Sequence, residues 1–194
     1  TKVTRRETGN DICFIGALDW IPNMEGLMWF LEKVWPLVHQ SHPGIKFHIA
    51  GRNTPDTLKN LNIPNVIVHG EVTDGIDFVD RHSMMIVPLF SGSGMRVKIL
   101  EGMALGKVVI TTALGKEGIH AEDGVHLLEA DTPQAFVDRI SEVVSGKADK
   151  KAIGEAARAF VENYYDHGVN AMRLLEKYRS LRSNPVYSRD AYHS

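Results

Sequence analysis

The 194-residue chain sets 22 lysines and arginines against 24 aspartates and glutamates, a formal net charge of -2, and 43% of it is hydrophobic. That is enough apolar material for a full core, and the charge balance removes the electrostatic case for nucleic acid or an anionic membrane as a partner. A single cysteine, Cys13, excludes an internal disulfide, and no run approaches the ~18 apolar residues of a membrane span. No signal peptide is visible, and a start at Thr1 reads as a processed protein or a fragment of something longer.

Short apolar runs alternate with longer helical ones, the pattern of a parallel sheet with crossover helices. After a polar linker over residues 1–10, Asp11–Gly16 reads as a strand. Within it, Cys13 reads as a small hydrophobe. Leu27, Phe30, Leu31, Val34 and Val38 recur at helical spacing, predicting a helix over Asn23–Gln40 with Pro22 near its start. Lys46–Ala50 reads as the second strand, Thr57–Leu61 as a short helical stretch and Val66–His69 as the third strand. Phe78–Ser83 reads as part of a small helix and Met84–Leu89 as a buried strand. Met95–Leu105 is a predicted helix that Gly106 ends in a left-handed cap. Strands over Val108–Thr112 and His126–Glu129 follow, then helices over Pro133–Val144, Lys150–Asn163 and Val169–Leu181. The domain closes near residue 182, and 183–194 reads as a flexible tail.

Ligands of such sheets bind beyond the carboxyl ends of the strands, so four loops matter most: Ala17–Asn23, Arg52–Pro55, Gly70–Asp74 and Phe90–Met95. The last carries Ser91-Gly92-Ser93-Gly94 immediately before a helix. Glycines admit a ligand close to the backbone, and the free N–H groups of a helix start form an anion site. Arg96 and Lys98 in that first turn oppose the helix dipole by roughly 0.3–1 kcal/mol each, a term that a bound phosphate reverses in sign. Glu101 falls on the side of an apolar stripe made by Val97, Leu100 and Ala104. It suits sugar or ribose hydroxyls, or equally a salt bridge to Lys98 three residues earlier. Neither a P-loop nor the dinucleotide fingerprint is present: Val108 follows Lys107, and Val97 stands where a third glycine would.

The run Pro88-Leu89, Gly92-x-Gly94-x-Arg96-x-Lys98 and Ile99-Leu100-Glu101-Gly102-Met103-Ala104 through Val109 resembles the donor-binding motif of glycosyltransferase family 4, group 1. Those are retaining enzymes of the two-domain GT-B fold. Phe14-Ile15-Gly16-Ala17-Leu18 with Pro22-Asn23 resembles the first loop of the C-terminal domain. Phe47 to Gly51 resembles its second strand and turn, and Val68-His69-Gly70-Glu71-Val72 the loop that cradles the base. Gly115 to Ile119 resembles the segment after the fifth strand. The resemblance, from about Asp11 to Leu181, implies one half of a GT-B enzyme. Its fold would be a Rossmann-like α/β parallel sheet of about six strands, with helices on both faces and further C-terminal helices.

By this resemblance Glu101 matches the second glutamate of a Glu-x7-Glu motif and contacts the ribose. The first glutamate of that motif has no counterpart in the glycine turn, so amides around Ser93, Gly94 and Met95 are left to hold sugar and phosphate. The first loop lacks the usual basic residues. Arg96 and Lys98 stand in for them, with Arg52 a further candidate, and Gly16, Asn23 and Val72 complete the expected donor contacts. The implied function is hexosyl transfer from a nucleoside-diphosphate sugar, with no cofactor and no metal, since no Asp-x-Asp motif occurs. The implied partner is an N-terminal acceptor half outside this chain, and the catalytic groups facing the donor are unknown. The implied location is cytoplasmic, with any membrane contact made through the other half. A nucleotide-sugar epimerase half and a non-catalytic nucleotide-binding or interaction module stay open as alternatives.

None of the nine histidines falls into a metal-ligand spacing. His39 and His42 read as helix-end caps, and His69 as a pocket residue or a strand-end histidine. Trp29 and Trp35 read as packing residues, and Trp20 as an exposed residue facing the other half.

Overall fold

The strands built almost wholly of apolar residues lie inside the sheet, and the edge strand over Val66–Gly70 alternates between half-buried and exposed residues. In the computed structural model, which describes residues 9–92 and 96–164, six parallel strands lie in the order β3-β2-β1-β4-β5-β6. They are β1 (Ile12–Ala17), β2 (Phe47–Arg52), β3 (Val66–Gly70), β4 (Met84–Val87), β5 (Val108–Thr111) and β6 (Leu128–Glu129). This is the Rossmann-like α/β sheet expected above. Chain order reverses between β1 and β4, which makes their carboxyl ends the crevice of the sheet.

Side chains alternate across the sheet. Ile12 and Phe14 join Leu27, Phe30, Phe47, Ile86, Phe136 and Ile140 on one face. Cys13 and Ile15 join Met85, Val87, Phe78, Ile99, Met103 and Ala157 on the other. Cys13 is fully buried, and burial pushes its thiol up to about 12, so it packs as a hydrophobe and not as a nucleophile.

The first helical segment begins at Ile21, two residues earlier than the spacing predicts, and has three parts. These are α1 (Ile21–Trp29), a π-helical turn (Phe30–Val34) and α2 (Trp35–Ser41). The Trp35 N–H donates to Phe30 O, a five-residue step. Pro36 accounts for it: in a regular helix its ring would strike the Glu32 carbonyl, and a wider turn relieves that clash. Trp35 is buried and its indole N–H donates to Pro64 O at 3.0 Å.

The remaining helices are α3 (Asp56–Lys59), α4 (Gly75–Asp80), α5 (Arg96–Ala104), α6 (Ala113–Lys116), α7 (Pro133–Val144) and α8 (Lys150–Tyr164). The helix expected over Phe78–Ser83 lies earlier, because Asp74 caps it by accepting from the Ile76 and Asp77 amides at 2.8 and 3.1 Å. Gly106 closes α5 with φ +67, as the sequence predicts. The expected helix over Val169–Leu181, the tail, and all but the last two residues of the linker lie outside the described residues.

On α5 the buried stripe differs from the one read in the sequence. Lys98, Ile99, Gly102 and Met103 are buried, whereas Val97, Leu100 and Ala104 are only partly so. Gly102 decides this: a Cβ there would stand 2.9 Å from Val109 Cγ2 and 3.0 Å from Met85 Sδ. The helix therefore rides on its glycine, and Glu101 moves to the flank beside Lys98.

Candidate functional site at the β1–β4 crevice

At the end of β1, Gly16 is buried and its backbone meets the amide of Asn23 in the first turn of α1. Asn23 is 4% exposed, and its Nδ2 donates to Ala17 O at 2.8 Å. The next exit is tied to this one: Leu18 N donates to Arg52 O at 2.9 Å, and Asn53, with φ +54, donates from Nδ2 to Asp19 Oδ2 at 2.8 Å. The Arg52 side chain is exposed at that rim.

The β4 exit lies against α1. A Cβ on Gly26 would collide with the Pro88 carbonyl oxygen. Thr111 Oγ1 donates to Val87 O at 2.9 Å, and Thr112 Oγ1 donates to Leu89 O, so β5 holds the same segment from the other side. Gly92 has φ +78, and a Cβ on it would stand 2.8 Å from Pro22 Cγ and 3.1 Å from Trp20 Cζ2. The glycine turn thus rests on the first loop. Trp20 is half-buried against that turn, where the sequence predicts an exposed residue. Phe90 meets Trp29 edge-on at 4.5 Å, and Ser91 Oγ donates to Glu25 Oε2 at 3.0 Å.

On α5, Lys98 Nζ lies 3.7 Å from Glu101 Oε2, with the lysine 8% exposed. The ion pair that the sequence offered as one reading of Glu101 is therefore present. It stands one turn into the helix that follows the glycine turn. A buried cation there opposes the dipole, so the carboxylate offsets part of that cost. Val72, beyond β3, is half-buried against the second core cluster. Ser93, Gly94, Met95 and the Arg96 side chain lie outside the described residues. The structure thus joins Gly16, Asn23 and the start of the glycine turn at one crevice and couples Lys98 to Glu101. Sequence reasoning passed over Glu25, Thr111 and Thr112. Glu25 was visible only as a residue two positions beyond the first loop.

Away from the crevice, the sheet carries a second polar group on β2 and β3. The β2–β3 register shifts after Ile49, and His69 is the extra residue of that bulge. His48 Nδ1 and His69 Nε2 share a hydrogen bond of 2.9 Å. The His48 ring also packs 4.5 Å from His82, whose Nδ1 donates to Phe78 O. Asp11 Oδ2 lies 3.6 Å from His48 Nε2. Burial is the main cause holding all three imidazoles low, His82 at about 4. His69 is thus a strand residue bonded to its neighbour. His42 is the C-cap of α2, its N–H donating to Val38 O, as its position predicts.

A family model described as glycosyl transferases group 1 matches residues 9–146 of this chain. The chain belongs to that family. This group 1 domain is 28% identical over 165 residues to an uncharacterized 44.6 kDa protein in the cps region of Klebsiella pneumoniae, covering 80% of this chain and 42% of the relative. It therefore spans less than half the length of that curated relative. Among solved structures, it resembles the C-terminal domain of the group 1 glycosyl transferase LpcC from Francisella tularensis. That match has 18% identity and a TM-score of 0.67, covering 82% of this chain and 88% of the other. It also resembles a mutant TarM of S. aureus in complex with Fondaparinux, alpha-GlcNAc-glycerol and UDP. Here identity is 20% and the TM-score 0.68, over 92% of this chain and 37% of the other. At these identities the structural likeness establishes the fold. No described helix is long and apolar enough to cross a membrane.

Proposed function

We propose that this chain is the donor-binding half of a retaining glycosyltransferase, holding a nucleoside-diphosphate sugar while the sugar passes to an acceptor on a companion half. The observation that carries this reading is the seating of the Gly92 turn on the first loop at the β1–β4 crevice, directly ahead of α5 and its Lys98–Glu101 pair. When the bond from the sugar to the diphosphate breaks, negative charge grows on the leaving phosphate. Preorganised backbone amides and cations at a helix start stabilise that charge. Lys98 supplies the cation, Arg96 is assigned beside it, and Glu101 accepts from ribose hydroxyls. The UDP bound by the related TarM supports the nucleotide class. Acceptor and remaining catalytic groups come from the companion half, so this chain alone binds donor and transfers nothing.

Calorimetric titration of the chain with UDP, GDP and ADP tests the binding step. Saturable binding of one of them is expected, and no heat from any at millimolar concentration overturns the reading. Anomeric analysis of product from the longer protein tests the stereochemistry, for which inversion is the contrary result.

A further inference from the structure

Among the described residues of the crevice, Asn23 is a polar side chain whose chemistry is half spent. Asn23 donates from Nδ2 to Ala17 O, but its Oδ1 is shielded from solvent and has no hydrogen-bond partner. A buried amide oxygen without a partner is costly and persists where something else depends on the geometry. What depends on it here is the first loop. Ala17 is the last residue of β1, and the Asn23 N–H donates to Trp20 O at 3.1 Å. Residue 23 thus fastens both ends of the stretch from Ala17 to Trp20. Pro22 and Trp20, inside or beside that fastened loop, are the surfaces on which Gly92 rests. Gly16 is shaped to the same amide, since a Cβ on it would stand 2.8 Å from Asn23 Nδ2. At 4% exposure Asn23 does not present its amide to a ligand.

We infer that Asn23 is a positioning residue: its amide locks the β1 exit loop and, through Trp20 and Pro22, sets where Gly92 sits ahead of α5. This inference rests on the donor-binding reading above, and it removes Asn23 from the residues that touch the donor.

The test compares the unsubstituted chain with Asn23→Ala, Asn23→Asp and the double variant Gly16→Ala/Asn23→Ala. Each is measured for melting temperature and for affinity toward whichever of UDP, GDP and ADP the unsubstituted chain binds. Asn23→Ala is expected to weaken binding about ten-fold, a loss of the order of one buried hydrogen bond. The double variant separates packing from positioning, because the new methyl occupies space that the amide vacates. It is expected to melt close to the unsubstituted chain and still bind about ten-fold more weakly. Asn23→Asp loses the donor at neutral pH and regains it when the carboxyl protonates. Its affinity relative to the unsubstituted chain is therefore expected to recover as pH falls. A stable double variant with unchanged affinity, or an Asn23→Asp defect independent of pH, overturns the positioning role. Absence of binding by the unsubstituted chain overturns the donor reading itself, and this role with it.

Discussion

Gly26 of α1 and the carbonyl of Pro88 at the β4 exit touch backbone to backbone, with no room between them for a single methyl group. Neither partner is the far end of a flexible side chain, so neither yields cheaply. Gly26→Ala is expected to lower stability by about 2–4 kcal/mol, the range of strong overpacking and backbone displacement. Urea unfolding measures it, and a change below about 0.5 kcal/mol would show that α1 is free to move away from β4.

Glu101 has an observed partner and a proposed one. If it contacts ribose, Glu101→Ala weakens nucleoside-diphosphate binding by about 1–3 kcal/mol, the cost of leaving a buried polar partner unmet. If its role ends at Lys98, affinity stays constant and only stability falls. Calorimetry and thermal melting on the same sample separate the two.

Glu25 places a carboxylate on the rim of the turn assigned to phosphate, held by Ser91 Oγ. A negative charge there repels a diphosphate through solvent. Glu25→Gln is therefore expected to tighten binding of the free nucleoside diphosphate about two- to five-fold, a size set by exposed charges. The gain should shrink as salt is added. Equal or weaker binding would place the phosphates elsewhere.

The three imidazoles on β2, β3 and the segment after α4 predict acid sensitivity. Burial lowers all of them from 6.5, and His82 falls to about 4. The folded state therefore favours the neutral rings, and the unfolded chain binds more protons below pH 6.5. The stabilising contribution is complete above that value and is lost as pH falls toward about 4. The His69 ring and Lys46 add to the lowering at His48, and the His48 and His69 rings add to it at His82, while Asp11 opposes it at both and the Phe78 carbonyl opposes it at His82. Unfolding midpoints from pH 7.5 down to 4.5 should fall less steeply in His82→Gln than in the unsubstituted chain. Parallel curves would remove His82 from the account.

The sequence shows its sheet because the buried strands are short apolar runs and the helices between them keep their 3.6-residue period. Pro133–Val144 begins and ends where its periodicity and proline place it, and Gly106 caps α5 as predicted. The π-helical turn escaped because the apolar spacing from Leu27 to Val38 is the same for a straight helix. Only Pro36, set against the Glu32 carbonyl, gave a hint. The α5 stripe was misread because a glycine carries no hydrophobic signal even where it is the point of closest approach. The candidate site divides the same way. Lys98 and Glu101 are three apart on one helix, so their pairing is local and visible. The seating of Gly92 on Pro22 and Trp20 joins positions about seventy residues apart. It exists only because β1 and β4 are neighbours in the sheet, a consequence of topology that no local pattern encodes.

That seating gives the crevice an optical readout of its own. The indole of Trp20 borders the glycine turn, so a ligand entering the turn changes the polarity around the ring and shifts its emission. Trp35, buried and fixed to Pro64 on the far side of the helix, supplies a steady background. With Trp29 replaced by Phe to silence the ring against Phe90, occupancy of the turn could be followed by light in the unlabelled protein.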